Sequence, residues 1–195
     1  MENTADLRIV EEPKRPLAMN PKKFGMWLLL VTVMMMFMSV TSAYIVRQAE
    51  GNWLYFELPV SFYISSVIIV VSSIFMQMAY GSAKQNELGK VKKLISFTAI
   101  LGLAFLVVQF IGWRQLVQAN VYLVGNPSGS FLYIITGLHA LHLLSAIIFL
   151  LIMLAAAFKD KISSGNMTKM EMCTTYWHFL GGLWLYLFVF LLLYR

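Results

Sequence analysis

Five long apolar runs constrain this chain more than any other feature of its sequence. They cover residues 24–46, 60–80, 94–117, 131–157 and 174–194. Each is about 21–27 residues long, enough for a helix to cross a hydrocarbon layer of roughly 30 Å. Inside lipid every backbone N–H and C=O must find its partner within the protein, so runs of this length and apolarity are read as helices. Of the 195 residues 59% are apolar and only 12% are charged, against about 25% charged in ordinary soluble domains. That balance excludes a water-soluble domain and a disordered chain. A disulfide scaffold is excluded because Cys173 is the only cysteine. The expected fold class is all-α: an integral membrane bundle of five transmembrane helices spanning 24–195, preceded by a polar cytoplasmic tail, 1–23, that contains Pro13, Pro16 and Pro21. A leader of this length followed by a run of this length does not fit a cleaved signal peptide, whose apolar region is about 7–15 residues.

The net charge of +6 lies in short clusters beside the apolar runs, which is an orientation signal rather than a nucleic-acid footprint. Arg8, Lys14, Arg15, Lys22 and Lys23 precede the first run. Lys84, Lys90, Lys92 and Lys93 follow the second, and Lys159, Lys161 and Lys169 follow the fourth. The opposite side carries only Arg47, Arg114 and Arg195. The expectation is an inside N-terminus and an outside C-terminus, with Arg114 snorkelling from the end of the third helix.

All nine acidic residues (Glu2, Asp6, Glu11, Glu12, Glu50, Glu57, Glu87, Asp160, Glu171) fall in tails, loops or helix edges. A proton relay or cation-coupled carrier normally needs a carboxylate within the membrane, so ion transport by this chain alone is disfavoured. Paired discontinuous helices and internal repeats, the usual marks of a carrier, are also missing. His139 and His142 lie three apart on the fourth helix. His178 is expected four residues into the fifth, at a different depth, so a shared metal site is not expected. The reading preferred for all three is hydrogen bonding between helices. A lone Cys173 at the inner edge cannot build a dinuclear copper or iron–sulfur site, and the thirteen methionines read as lipid or core contacts. Ser65, Ser66, Ser72, Ser73 and Ala79 make a small-residue stripe on helix two that should admit a close neighbour. Gly181 and Gly182 read likewise, with Gly102 and Gly112 adding to this.

The segments TGLHALH (136–142), TYWHFLGGLWLYLF (175–188), LGLAFLVVQFIGW (101–113) and SSIFMQMA (72–79) resemble, in order and spacing, subunit III of haem–copper terminal oxidases. The resemblance spans about residues 24–195 and implies the short five-helix bacterial form. It implies a non-catalytic role in a cytochrome c or quinol oxidase of the aerobic respiratory chain: stabilising subunit I, binding membrane phospholipid and supporting proton uptake. No cofactor is expected in this chain. Haem and copper would reside in partner subunits, I and II, in a bacterial inner membrane, with a larger respiratory supercomplex as a further partner. The residues singled out, as structural or interface positions and not catalytic ones, are His139, His142, Trp177, His178, Trp184, Gln109, Ser72 and Ser73. Two departures stand out: Gly112 and Gly181 occupy positions where family members often carry an acid. Two other readings compete with this one. One is an accessory subunit of a nitric oxide reductase system; the other is a small b-type cytochrome holding haem through His139 and His142 in a homodimer.

An impermeant thiol reagent is expected to leave Cys173 unlabelled from the outer face of intact cells, and labelling there would overturn the orientation.

Overall fold

The computed structural model describes residues 20–159 and 167–194. Most of the polar tail, the basic residues Arg8, Lys14, Arg15 and Lys161, and Arg195 lie outside the described residues. The described chain is all-helical: α1 (Pro21–Ala49), α2 (Val60–Lys84), α3 (Leu88–Gln118), α4 (Pro127–Phe158) and α5 (Thr168–Leu193). All five are long and apolar enough to cross a membrane.

The helices run past the apolar runs, mainly at their polar ends. α3 begins at Leu88 and not at residue 94, and α5 at Thr168 and not at 174. The apolar run marks the part of a helix that lipid demands. The backbone continues helically as long as its terminal N–H and C=O groups have partners. Asn20 and Asn126 supply them at α1 and α4, each accepting from the N–H two residues on, with a proline in the first turn where no donor is needed. The connector between α2 and α3 shrinks to Gln85, Asn86 and Glu87, turned by Asn86 at φ 58°. The lysines expected in that loop therefore sit on helix ends.

Four helices, α2, α3, α4 and α5, close a ring in which each packs on its two neighbours. α1 lies outside the ring, in the groove between α4 and α5. α1 and α5 run parallel and are tied at both ends. At their N-terminal ends Lys23 Nζ pairs with Glu171 Oε2 at 2.6 Å. At the other end the Tyr44 hydroxyl and Gln48 Nε2 both donate to the Tyr194 carbonyl, at 2.9 and 3.0 Å. The loops on that end are pinned as well. Asn126 accepts from the Leu54 N–H and donates to the Asn52 carbonyl, while the Ser128 hydroxyl donates to the Leu54 carbonyl. A side chain at Gly129 would run into the Tyr122 carbonyl, so only glycine lets this loop close on α4. Trp53, Phe131 and Phe190 surround the Tyr44 ring at 4.7–5.7 Å.

Cys173 lies inside the bundle at 2% exposure, one and a half turns into α5. It is not at a reactive edge, so its silence toward a thiol reagent would follow from burial as much as from sidedness.

Candidate functional site

The described residues carry no group of three His, Cys, Asp or Glu side chains close enough to hold a metal ion. The features that stand out in the interior are instead three indole N–H groups, each matched to a hydroxyl on a neighbouring helix. Trp177 Nε1 of α5 donates to Ser72 Oγ of α2 at 3.1 Å. Trp184 Nε1, two turns on, donates to Ser66 Oγ at 3.0 Å. Trp113 Nε1 of α3 donates to Thr136 Oγ1 of α4 at 3.0 Å. Each acceptor hydroxyl in turn donates to a backbone carbonyl: Ser72 to Thr98 on α3 at 3.5 Å, Ser66 to Phe62, and Thr136 to Leu132. The Ser72 relay thus links α5, α2 and α3.

The spacing explains why these pairs form. On α5 the two tryptophans are seven residues apart, and on α2 their serines are six apart. The two intervals rise about 10.5 and about 9 Å along their helices, so both indoles find a serine at matching height. Two helices running in opposite directions therefore meet at both points. The small-residue stripe admits the bulky partner, as the sequence implied, and in addition its hydroxyls accept the proton that lipid cannot. Ser61 donates to Gln115 Oε1 at 2.7 Å, and Ser65 lies 3.5 Å from Gln109 Oε1, extending the same seam between α2 and α3.

Glycines set the approach distance. A Cβ on Gly102 of α3 would stand 2.6 Å from Cη2 of Trp177. At Gly112 it would meet Phe62 at 2.9 Å, and at Gly181 it would meet the Ser73 hydroxyl at 3.1 Å. Gly112 and Gly181, the two departures noted in the sequence, are thus places where helices touch, and a carboxylate at 112 would have to displace the fully buried Phe62.

The histidines differ from expectation in two of three cases. His178 Nε2 pairs with Gln77 Oε1 of α2 at 3.1 Å, a bond between helices. His142 bonds through Nδ1 to the Leu138 carbonyl of its own helix at 2.7 Å, and its ring meets Phe37 of α1 edge-on at 5.8 Å. His139 is wholly buried and neither ring nitrogen has a hydrogen-bond partner among the described residues. Its ring is enclosed by Phe37, Phe105 and Trp184 at 5.1–6.4 Å. Enclosed in this way, His139 presents no open face to a haem iron, which weighs against the homodimeric cytochrome reading. His178 also sits further along its helix than expected: α5 starts at Thr168, so His178 is ten residues in, roughly 15 Å, and not four. Phe37 touches both other histidines and lines, with His178, Met34, Met38 and Tyr186, a cleft of about 410 Å³ between α1 and α5.

Of the positions singled out in the sequence, Ser72, Gln109, His139, Trp177 and Trp184 are buried within this chain, and Ser73, His142 and His178 are half-buried. Trp113, Thr136, Ser66 as an acceptor, and Phe37 were not singled out. For Trp113 and Thr136 a signal was available: two side chains of complementary hydrogen-bonding type on consecutive antiparallel helices, each within three turns of their connection.

Comparison with known proteins decides the family. The family model described as cytochrome c oxidase subunit III matches residues 54–195. The chain belongs to the cytochrome c oxidase subunit III family. Cytochrome c oxidase subunit 3 of Corynebacterium diphtheriae is 27% identical over 188 residues, covering 91% of each chain. Cytochrome bo(3) ubiquinol oxidase subunit 3 of Pseudomonas aeruginosa is 28% identical over 85% of this chain and 81% of that one. Cytochrome c oxidase subunit 3 of Aedes aegypti is 28% identical over 69% of this chain but only 49% of its own length. The family is that of a membrane subunit of the respiratory chain, and the resemblance read from segments 72–79, 101–113, 136–142 and 175–188 lies wholly within the matched region.

Substituting Ser72→Leu is expected to break the α2–α5 seam, because a fully buried site against Trp177 has no room for three more carbons and the indole N–H loses its acceptor. The milder Ser72→Ala should cost about 1–2 kcal/mol through the unpaired N–H alone. Thermal unfolding in detergent checks both; equal midpoints for Ser72→Leu and the parent would show that the seam does not hold the bundle together.

Proposed function

We propose that the chain is the non-catalytic subunit III of a bacterial haem–copper terminal oxidase. It would stabilise subunit I and support proton uptake during oxygen reduction, in the inner membrane, with its N-terminus cytoplasmic and its C-terminus outside. Haem and copper belong, in this reading, to partner subunits, with subunit II alongside subunit I. Membership of the family supports the assembly.

The observation that carries the non-catalytic role is how the interior polar groups are used. Trp113, Trp177 and Trp184 each occupy a hydroxyl of a neighbouring helix, and Ser61 occupies Gln115. These groups, among the described residues, are spent on holding helices together. The outer faces are apolar, with exposed residues such as Trp27, Met35, Val67 and Val107, and lipid or a neighbouring subunit can cover them without leaving a polar group unpaired. His139, His142, Trp177, His178, Trp184, Gln109, Ser72 and Ser73 act in this proposal by shaping the bundle. The open apolar cleft between α1 and α5 suits acyl chains of membrane phospholipid.

A mild-detergent pull-down of the tagged chain from its native membrane, with a redox difference spectrum of the eluate, is expected to bring down large subunits with haem bands. A colourless solitary protein would sink the proposal. His142→Ala, which removes the ring that packs against Phe37, is expected to lower the amount of subunit retained without changing the haem bands of what remains assembled. Loss of one haem band from an otherwise intact complex would make His142 a ligand. For orientation, a Cys173→Ser background carrying Leu123→Cys should be labelled by an impermeant thiol reagent from outside intact cells, and one carrying Gln85→Cys only after permeabilisation. The reverse pattern would invert the topology.

A further inference from the structure

Only one of the two ring nitrogens of His142 is used within this chain. Nδ1 lies 2.7 Å from the Leu138 carbonyl. A carbonyl oxygen can only accept, so Nδ1 carries the hydrogen. No carboxylate lies within any of the five apolar runs to balance a charged imidazole, so the ring is neutral and has a single N–H. Nε2 is therefore a bare acceptor, and it has no partner among the described residues. His139 lacks partners too, but it is sealed inside the bundle, whereas His142 is half-buried. The Leu138 carbonyl and the edge-on contact with Phe37, at 5.8 Å, hold the ring at two points and fix the direction in which Nε2 is presented.

Depth decides what can answer this acceptor. α4 runs from Pro127 to Phe158, and His142 stands at its midpoint, roughly 22 Å from either end. At that depth neither headgroups nor bulk water are within reach, and acyl chains have no hydrogen to donate. The surface around it has the pattern of a helix-packing face. Ile134, Leu138, Leu141, Ser145, Ile148 and Ile152 recur at alternating intervals of four and three residues, and all are exposed except the half-buried Leu138. Such spacing keeps one stripe of a helix against a neighbouring helix. Leu141, next to His142, is 64% exposed. The Ser145 hydroxyl on this stripe is already engaged, by the His142 carbonyl and the Tyr176 hydroxyl, each at 2.7 Å.

We propose that the outer face of α4 is where a neighbouring subunit docks, through a transmembrane helix whose side chain donates a hydrogen bond to Nε2 of His142. The donor is a hydroxyl, indole or carboxamide hydrogen, chemistry that lipid does not supply at this depth. An imidazole already held at two points loses little freedom when the donor arrives. The contact rests on the assembly proposed above and adds to it the face that docks and the bond that fixes its register.

The test uses the tagged full-length chain, pulled down in mild detergent from its native membrane, with the co-purifying large subunits measured per tagged chain. His142→Phe keeps a ring against Phe37 but has no acceptor, and is expected to lower retention about five-fold, within the range of hydrogen bonds between transmembrane helices. His142→Gln, whose amide oxygen reaches the place of Nε2, is expected to keep most of it. Thermal midpoints of the isolated variants that match the parent show that they are folded. Parental retention by His142→Phe would reduce the residue to ring packing and overturn the proposal, and so would equal losses in the Phe and Gln variants. A photo-crosslinking residue in place of Leu141 gives a second route that leaves His142 untouched. Capture of one of the co-purifying large subunits is expected, and capture of lipid alone would overturn the docking face. A parent chain that brings down no subunit would defeat the assembly and this contact with it, whereas full assembly indifferent to His142→Phe would defeat the contact alone.

Discussion

In hydrocarbon there is no water to accept a proton from a tryptophan N–H, and this one constraint organises the bundle. Three indoles lie in helix–helix seams, and each donates to a hydroxyl supplied by the helix it faces. Such bonds between transmembrane helices average only about 0.6 kcal/mol and reach about 1.7, so their weight is not mainly in stability. They set register. A slip of one turn between α2 and α5 would leave two N–H groups without partners and drive Trp177 out of the space kept open by Gly102.

The ring of α2 to α5 and the external α1 follow from the same economy. α2 contributes its serine stripe to two neighbours at once: Ser61 and Ser65 face α3, Ser66 faces α5, and Ser72 faces both. α1 has no comparable stripe. It is held by the aromatic contacts of Phe37 and Tyr44, by the Thr41–Tyr186 hydroxyl pair at 3.1 Å, and by polar ties at its two ends. A helix fastened at its ends and packed loosely between them leaves a cleft along its side, which is where His178 and Tyr186 look out.

His139, like Trp53 Nε1 and Gln109 Nε2, departs from the pairing rule among the described residues. It is the most deeply enclosed of the three histidines and the one whose nitrogens find no partner, yet Phe105 and Trp184 hold it face and edge. Its sequence neighbour on the same face, Thr136, is fully engaged by Trp113. The seam between α3 and α4 thus alternates a satisfied polar group with one packed only by rings. An aromatic cage of this kind orders the imidazole by shape, which suits a residue that positions helices and does not suit one that must reach a ligand.

Much of this was written in the sequence because lipid leaves so few options. Five apolar runs can only be spanning helices, and the serine stripe on α2 and the glycines of α3 and α5 can only mean close neighbours. The order of segments 72–79, 101–113, 136–142 and 175–188 carried the family. The helix ends were not legible. Capping by Asn20 and Asn126 and the tight turn at Asn86 carry the helices beyond the stretch that hydropathy can see. Nor was the destination of each polar group. Sequence shows that a serine is small and a tryptophan has an N–H, but which hydroxyl meets which indole depends on helix rotation and relative height. Tertiary structure alone therefore made Ser72 an acceptor, turned His142 toward its own helix and closed His139 within aromatic rings.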